Sequence, residues 1–364
     1  MTWIASADHN EGRFSPYGLG VDRRAEKQMI VDPSSLLARG TIMLETRMSP
    51  NGKPQVLFSF KRDFPWSRSL SIQAIPGGGI ALVHEHGDHV NHAALRWKGS
   101  GRADIVRITY AWDAPRGFGR LSLERPEDST VTSVDIVNPK PLCTQDLHDV
   151  MLGKCERTLA NDAVFVALST EVEPVGPMPT LCPSTPILTP WGTKAAGTLQ
   201  RGDTVSTPDD GAVPVLHSIK RTVPALGSFA PIRLRAPYFG LRRDIIAAPD
   251  QRLVIRGSDV EYMFGQESVL VPARHLVNGY AARYEPAGAT VTYTHLLLPA
   301  HQSLMVSGSA LESLYIGRIR RKEADLQASI LAPLDRNSLP EHGKPFFPML
   351  KAFEAIALAA HRAA

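Results

Sequence analysis

Residues Thr180 to Gly211 read TLCPSTPILTPWGTKAAGTLQRGDTVSTPDDG. A short apolar run, Ile187-Leu188, leads into Thr189-Pro190-Trp191-Gly192, which is turn chemistry. Proline presets the backbone angle of a tight turn, and glycine takes conformations closed to other residues. Leu199 and Val205 flank a second turn at Arg201-Gly202-Asp203. Two short strands joined by tight turns put Cys182 at a strand entrance.

Working outward, four more stretches stand in order along the chain: PIRLRAPYFGLRRDIIAAPDQRLVIRG (Pro231 to Gly257), VLVPARHLVNG (Val269 to Gly279), VTYTHLLLPAHQSLMVSG (Val291 to Gly308) and FPMLKAFEAIAL (Phe347 to Leu358). With the first stretch they resemble a bacterial Hint domain, the fold shared by hedgehog autoprocessing domains and inteins. The subfamily is one in which the domain follows an unrelated N-terminal region. The resemblance implies an all-β domain that opens on a Cys or Ser, which attacks the peptide bond before it. It also implies a second block of Thr or Ser, two residues, then His. That His protonates the scissile amide nitrogen, a poor leaving group otherwise.

Here the second block reads Ala248-Pro249-Asp250-Gln251. Ala248 replaces the hydroxyl and Gln251 replaces the His, and an amide cannot transfer a proton near neutral pH. Two positions compete for the nucleophile. The family spacing, counted back from Thr185, points to Thr180; alignment on the thiol points to Cys182. His295 lies in a β-type run, VTYTHLLL, and shares a face with Tyr293 and Leu297 by the two-residue period. It is carried forward as a residual base or orienting group. His275 is a further imidazole of this half, and His301, in Pro-Ala-His-Gln, reads as a structural turn residue. Where a splicing domain would end on Asn and a second nucleophile, the chain reads Leu311-Glu312-Ser313-Leu314 and runs on, which argues against splicing. The expectation is a degenerate autoprocessing site, with at most residual self-cleavage by an N-to-S acyl shift at the 170–182 junction. The alternative is a non-enzymatic protein in which this fold is a scaffold.

The chain has 364 residues, enough for two or more domains, and its 43% hydrophobic content is ordinary for a soluble protein. No apolar run approaches the ~18 residues of a membrane span. Net charge is +4 with both signs interspersed, a mildly basic surface rather than a nucleic-acid patch. Three cysteines without metal-like spacing fit a reduced compartment, and no cofactor motif is present. The opening MTWIASADHNEGRF lacks the basic and apolar regions of a secretory signal. The expectation is cytoplasmic synthesis without a signal peptide, with export by a signal-less route left open.

Residues 38–170 read as a β-sandwich. Strand-like runs at Thr41–Thr46, Val56–Phe60, Leu70–Ile75, Ile80–Val83, Asp104–Trp112 and Arg120–Glu124 recur with Gly, Pro and Asn between them. RITYAWDAPRGFGRLSLE (Arg107 to Glu124) resembles the concanavalin-A-like and laminin-G-like jelly rolls, which implies glycan or protein as partner. Trp66, Trp97 and Trp112 are candidate stacking groups. His84-Glu85-His86-Gly87-Asp88-His89, with His92, has the look of a zinc hydrolase motif. Strands on both sides of it, and the missing strand–helix alternation, point instead to a hairpin turn with solvated imidazoles and no metal.

The organisation expected is mainly β: an N-terminal arm (1–37), a jelly-roll-like sandwich (38–170), a stiff Pro-rich linker (171–180), a Hint-like domain (181–320) and a helical tail (321–364). In the tail Leu326, Ile330 and Leu331, then Met349, Leu350, Phe353, Ile356 and Ala357, take helical spacing.

Overall fold

The computed structural model describes residues 2–21, 29–32, 34–48, 53–76, 78–96, 104–127 and 130–363. The chain divides into two compact units, Met1–Gly176 and Pro177–Ala364. No helix among the described residues is long and apolar enough to cross a membrane.

The first unit is a sandwich of two antiparallel sheets. One has seven strands in the order Thr130–Val137, Phe118–Arg125, Asp104–Asp113, Arg39–Met48, Ala163–Ser169, Trp3–Ala7, Gly12–Phe14. The other runs Arg157–Leu159, Gln55–Arg62, Arg68–Ala74, Gly79–His86, His89–Arg96. Alternation decides what faces inward. Leu70 and Ile72 are fully buried in the common core, while Ser69, Ser71 and Gln73 between them stay half-exposed. Ile42, Leu44, Ile108, Tyr110 and Trp112 close the core from the other sheet.

Three expectations change here. The N-terminal arm is part of the sandwich, because Trp3–Ala7 pairs antiparallel with Ala163–Ser169. Its five residues are all buried, so the stretch carries no alternation to mark it as a strand. The stretch 171–180 is not a linker throughout: its first part, up to Gly176, is bonded into the first unit. The Thr41 hydroxyl donates to Glu171 O (2.7 Å), Ser169 to the Glu173 carboxylate (2.6 Å), and the Gly176 N–H to the Glu124 carboxylate (2.7 Å). The histidine motif does form a hairpin, turning at Gly87 (φ 58°), but its imidazoles are not all solvated. His84 points inward to the Tyr110 hydroxyl (Nδ1 at 3.1 Å), and burial pulls its pKa down to about 4. His92 pairs with Val83 and so faces away from His84 and His86. Trp97 lies outside the described residues.

The second unit is built on a six-stranded sheet in the order Gly192–Ala195, Pro186–Thr189, Ser303–Val306, Ser309–Glu312, Arg252–Arg256, Ser268–Pro272. A long ribbon, His217–Pro224 against Thr290–Leu297, and a three-stranded sheet complete it. The tail belongs to this unit. Leu350, Ala355 and Leu358 enter its main core, and Leu326, Ile330 and Leu331 pack on Leu297 and Leu314. The helices are Glu323–Ala328 and Ala352–Ala363, so Leu326, Phe353, Ile356 and Ala357 are helical as expected, whereas Ile330 and Leu331 lie past the first helix and Met349 and Leu350 before the second.

Candidate functional site

The segment Thr180–Cys182 runs as a short strand between two others. Leu181 exchanges both main-chain hydrogen bonds with Thr294 (Leu181 N–H to Thr294 O 3.3 Å, Thr294 N–H to Leu181 O 2.7 Å) and bridges to Ala247 on its other side. The Ala248 N–H donates to Thr180 O at 2.9 Å. Beyond Cys182 the chain turns at once: Thr185 N–H reaches Cys182 O (3.0 Å) and Gly197 N–H reaches Pro183 O (2.8 Å). A β-carbon on Gly197 would sit 2.6 Å from that of Pro183, so only glycine fits under this turn.

The antiparallel bridge fixes what stands opposite what. With Leu181 facing Thr294, Thr180 lies across from His295 and Cys182 across from Tyr293. These flanking pairs are the closely spaced kind, with Cα atoms about 4.5 Å apart. Thr180, Ala248 and His295 thus meet around one stretch of backbone. His275 is half-buried in the turn Ala273–Leu276, whose Ala273 and Arg274 N–H groups donate to Gln251 O (2.9 Å) and Pro249 O (3.0 Å), and His301 packs against His342 and Phe346.

The chemistry of each group follows from its surroundings. Thr180 is nearly buried, and its hydroxyl donates to Thr294 O at 3.0 Å. The Cys182 thiol is buried and its pKa is pushed up to about 12 by that burial. Tyr293 donates its hydroxyl to Phe229 O (2.7 Å), and burial, then the neighbouring Cys182, raises its pKa. His295 is fully buried; burial, and then the charge of Arg221, pulls its pKa down to about 3. Neither ring nitrogen of His295 has a hydrogen-bond partner among the described residues. The imidazole is therefore neutral at any physiological pH.

Gln251 is also fully buried. Its side-chain NH2 donates to Arg252 O and Glu312 O, both at 3.0 Å, and so stitches two strands together. Glu312 in turn takes Arg252 at 2.7 Å and lies 2.9 Å from His301 Nε2. His301 stacks on His342 with centroids 5.7 Å apart and accepts the Phe346 N–H at Nδ1 (3.2 Å). This fits the structural reading of His301. Tyr293 and Arg221, which border the junction, carry no sequence signal beyond their place in a strand. Among the described residues no three His, Cys, Asp or Glu side chains converge as metal ligands would.

Residues 179–318 match the model of the Hint domain family. Among solved structures, the crystal structure of the MchDnaB-1 intein is similar at 15% identity, covering 37% of this chain and 99% of its own, with a TM-score of 0.26. A bacterial intein-like domain from Clostridium thermocellum is similar at 16% identity, covering 38% of this chain and all of its own, with a TM-score of 0.27. The LG1-3 region of the laminin alpha2 chain is similar at 9% identity, covering 78% of this chain and 54% of its own, with a TM-score of 0.25. No curated protein matches the chain.

Proposed function

Taking residues 179–318 as a Hint domain, an autoprocessing-type fold, we propose that its junction is unreactive and that the chain works intact, with the sandwich as its recognition unit for glycan or protein. One observation carries this reading. The Thr180 hydroxyl, at the nucleophile position counted from Thr185, is bonded to Thr294 O, Ala248 across from it has no proton to give, and the Gln251 amide, turned to Arg252 O and Glu312 O, is no acid. Absence of a general acid alone slows such a step by ~10²–10⁴-fold. Cys182 does not compensate: with a pKa near 12, about one thiol in 10⁵ is thiolate at pH 7.

The half-exposed face of the five-stranded sheet supports the recognition role. Ser59, Ser69, Ser71 and Gln73 give it small hydrogen-bonding groups, with Glu85 oriented by Ser69 at 2.8 Å. Just before the strand Arg68–Ala74, Trp66 is 42% exposed and lies under the Arg68 guanidinium at 4.7 Å, on the side of the sheet opposite Ser69 and Ser71, and is a second exposed group for stacking.

A second reading, residual cleavage, has one observation in its favour: His295 across from Thr180. In that step the Thr180 oxygen bonds to the Pro179 carbonyl carbon, the Pro179–Thr180 amide bond breaks, and the hydroxyl proton ends on the departing nitrogen. An N-to-S shift at Cys182 is the same chemistry two residues on, at the Leu181–Cys182 bond. Intact mass with and without hydroxylamine, alongside Thr180→Ala and Cys182→Ala, separates the readings. A mass that stays full-length supports the unreactive junction. Fragments ending at Pro179 and lost in Thr180→Ala establish the second reading; fragments ending at Leu181 and lost in Cys182→Ala establish the thiol route.

A further inference from the structure

The second unit holds an open surface depression of about 530 Å³. Its rim carries Asp209, Glu261, Glu267 and Arg256, and its floor is Phe346 and Phe347. The floor is built by the tail, which lies beyond the residues that match the Hint family. It is fixed in place by Leu270, whose N–H donates to Pro348 O (2.8 Å) and whose carbonyl accepts the Leu350 N–H (2.9 Å). Phe346 is further held from behind by the His301 ring, 4.7 Å away. The two phenyl rings lie 4.8 Å apart, tilted by 58°.

The charges on the rim have no business with one another. All four heads are solvent-exposed, and none forms an ion pair or hydrogen bond with a side chain among the described residues. Arg256 instead lays its guanidinium over Phe347, 5.9 Å from the ring centre. A cation over that ring is therefore already a feature of the wall. Three carboxylates against one guanidinium leave the lining with a net charge of −2. A neutral apolar guest would desolvate those carboxylates without return, and an anion would meet them directly. A cation with a flat apolar body satisfies both parts, its head among the carboxylates and its body on the rings.

We propose that this depression is a binding site for a small organic cation, of the aryl- or alkyl-ammonium or amidinium class. Three probes of one shape test it on the full chain: benzamidine, the neutral benzamide and the anionic benzoate, titrated by calorimetry and by ligand-observed NMR. Benzamidine is expected to bind about tenfold or more tightly than the other two, and to weaken as salt is raised. The exposed-residue variant Glu261→Gln/Glu267→Gln is expected to lose about tenfold of that affinity, with an unchanged thermal midpoint. Phe347→Ala is expected to weaken all three probes. Equal binding of benzamidine and benzamide, no binding of benzamidine, or a double variant that binds as the parent does would each overturn the proposal.

Discussion

Cys182 tests the chemistry at the junction most directly, because its reactivity can be counted before any cleavage is sought. A free thiol of pKa near 8.5 is about one-tenth thiolate at pH 7.5. A thiol whose pKa burial has raised to about 12 is thiolate in only about 3 molecules in 10⁵. The loss is roughly 3 × 10³-fold. A thiolate of higher pKa is intrinsically more nucleophilic, by a Brønsted slope of about 0.4–0.5, which returns roughly 40-fold over this interval. The net expectation is alkylation about 10²-fold slower than a free thiol, before any steric protection at a residue only 7% exposed. The other two cysteines, Cys143 and Cys155, are half-exposed; burial raises the Cys155 thiol above its ordinary value as well, so Cys143 serves as the reference within the same molecule. Pulse labelling with iodoacetamide at pH 7.5, read peptide by peptide by mass spectrometry, is expected to modify Cys143 first. Because the thiol deprotonates only near pH 12, labelling of Cys182 should rise about tenfold per pH unit up to pH 10 while the fold holds. Labelling of Cys182 as fast as Cys143 at neutral pH would refute the buried thiol, and with it the argument against an N-to-S shift.

Gln251→Ala leaves Arg252 O and Glu312 O without their donor and opens a void, so the second unit should lose about 2–4 kcal/mol in urea melts. If the junction fails for want of groups rather than geometry, the combined change Thr180→Cys, Ala248→Thr, Gln251→His should produce thiol-dependent fragments ending at Pro179. Its rate should drop by ~10²–10⁴-fold when the introduced His is omitted. His295 and His342 have folded pKa values of about 3 and about 4, below the ordinary 6.5. The unfolded chain therefore takes up protons first, so their contribution is fully present above about pH 6.5 and is lost as pH falls toward 4. Denaturant midpoints at pH 7, 5.5 and 4.5 should show that fall, and His342→Gln should flatten it.

Much of the sandwich is legible because alternation writes it. Leu70-Ser71-Ile72-Gln73 shows one face buried and one half-exposed, and its strand, Arg68–Ala74, starts and stops near where the pattern does. Trp3–Ala7 defeats the same reasoning, since every residue of WIASA is buried and a strand covered on both faces has no period to read. The helix Thr144–Met151 goes unmarked for a different reason: Cys143 precedes it and no side chain caps it. In the tail, helical spacing predicts the helices but not where their apolar faces go. Leu350, just before the last helix, and Leu358 within it enter a core whose other members are drawn from Leu181 to Leu311, a pairing that no local pattern encodes.

The candidate site shows most clearly where a sequence stops. Thr180 and Cys182 are two residues apart, and in a strand two residues apart means the same face. Periodicity therefore cannot choose between them, and composition favours the thiol as the better nucleophile. What separates them is the register of a third strand. Because Leu181 bridges Thr294, the hydroxyl draws His295 as its neighbour and the thiol draws Tyr293. One residue is set beside a neutral imidazole with unpaired nitrogens; the other is sealed against a phenol in a dry pocket. The residue with the stronger intrinsic chemistry thus has the weaker site. The residue with the better-placed neighbour lacks the proton donor that Gln251, occupied with two carbonyls, cannot supply.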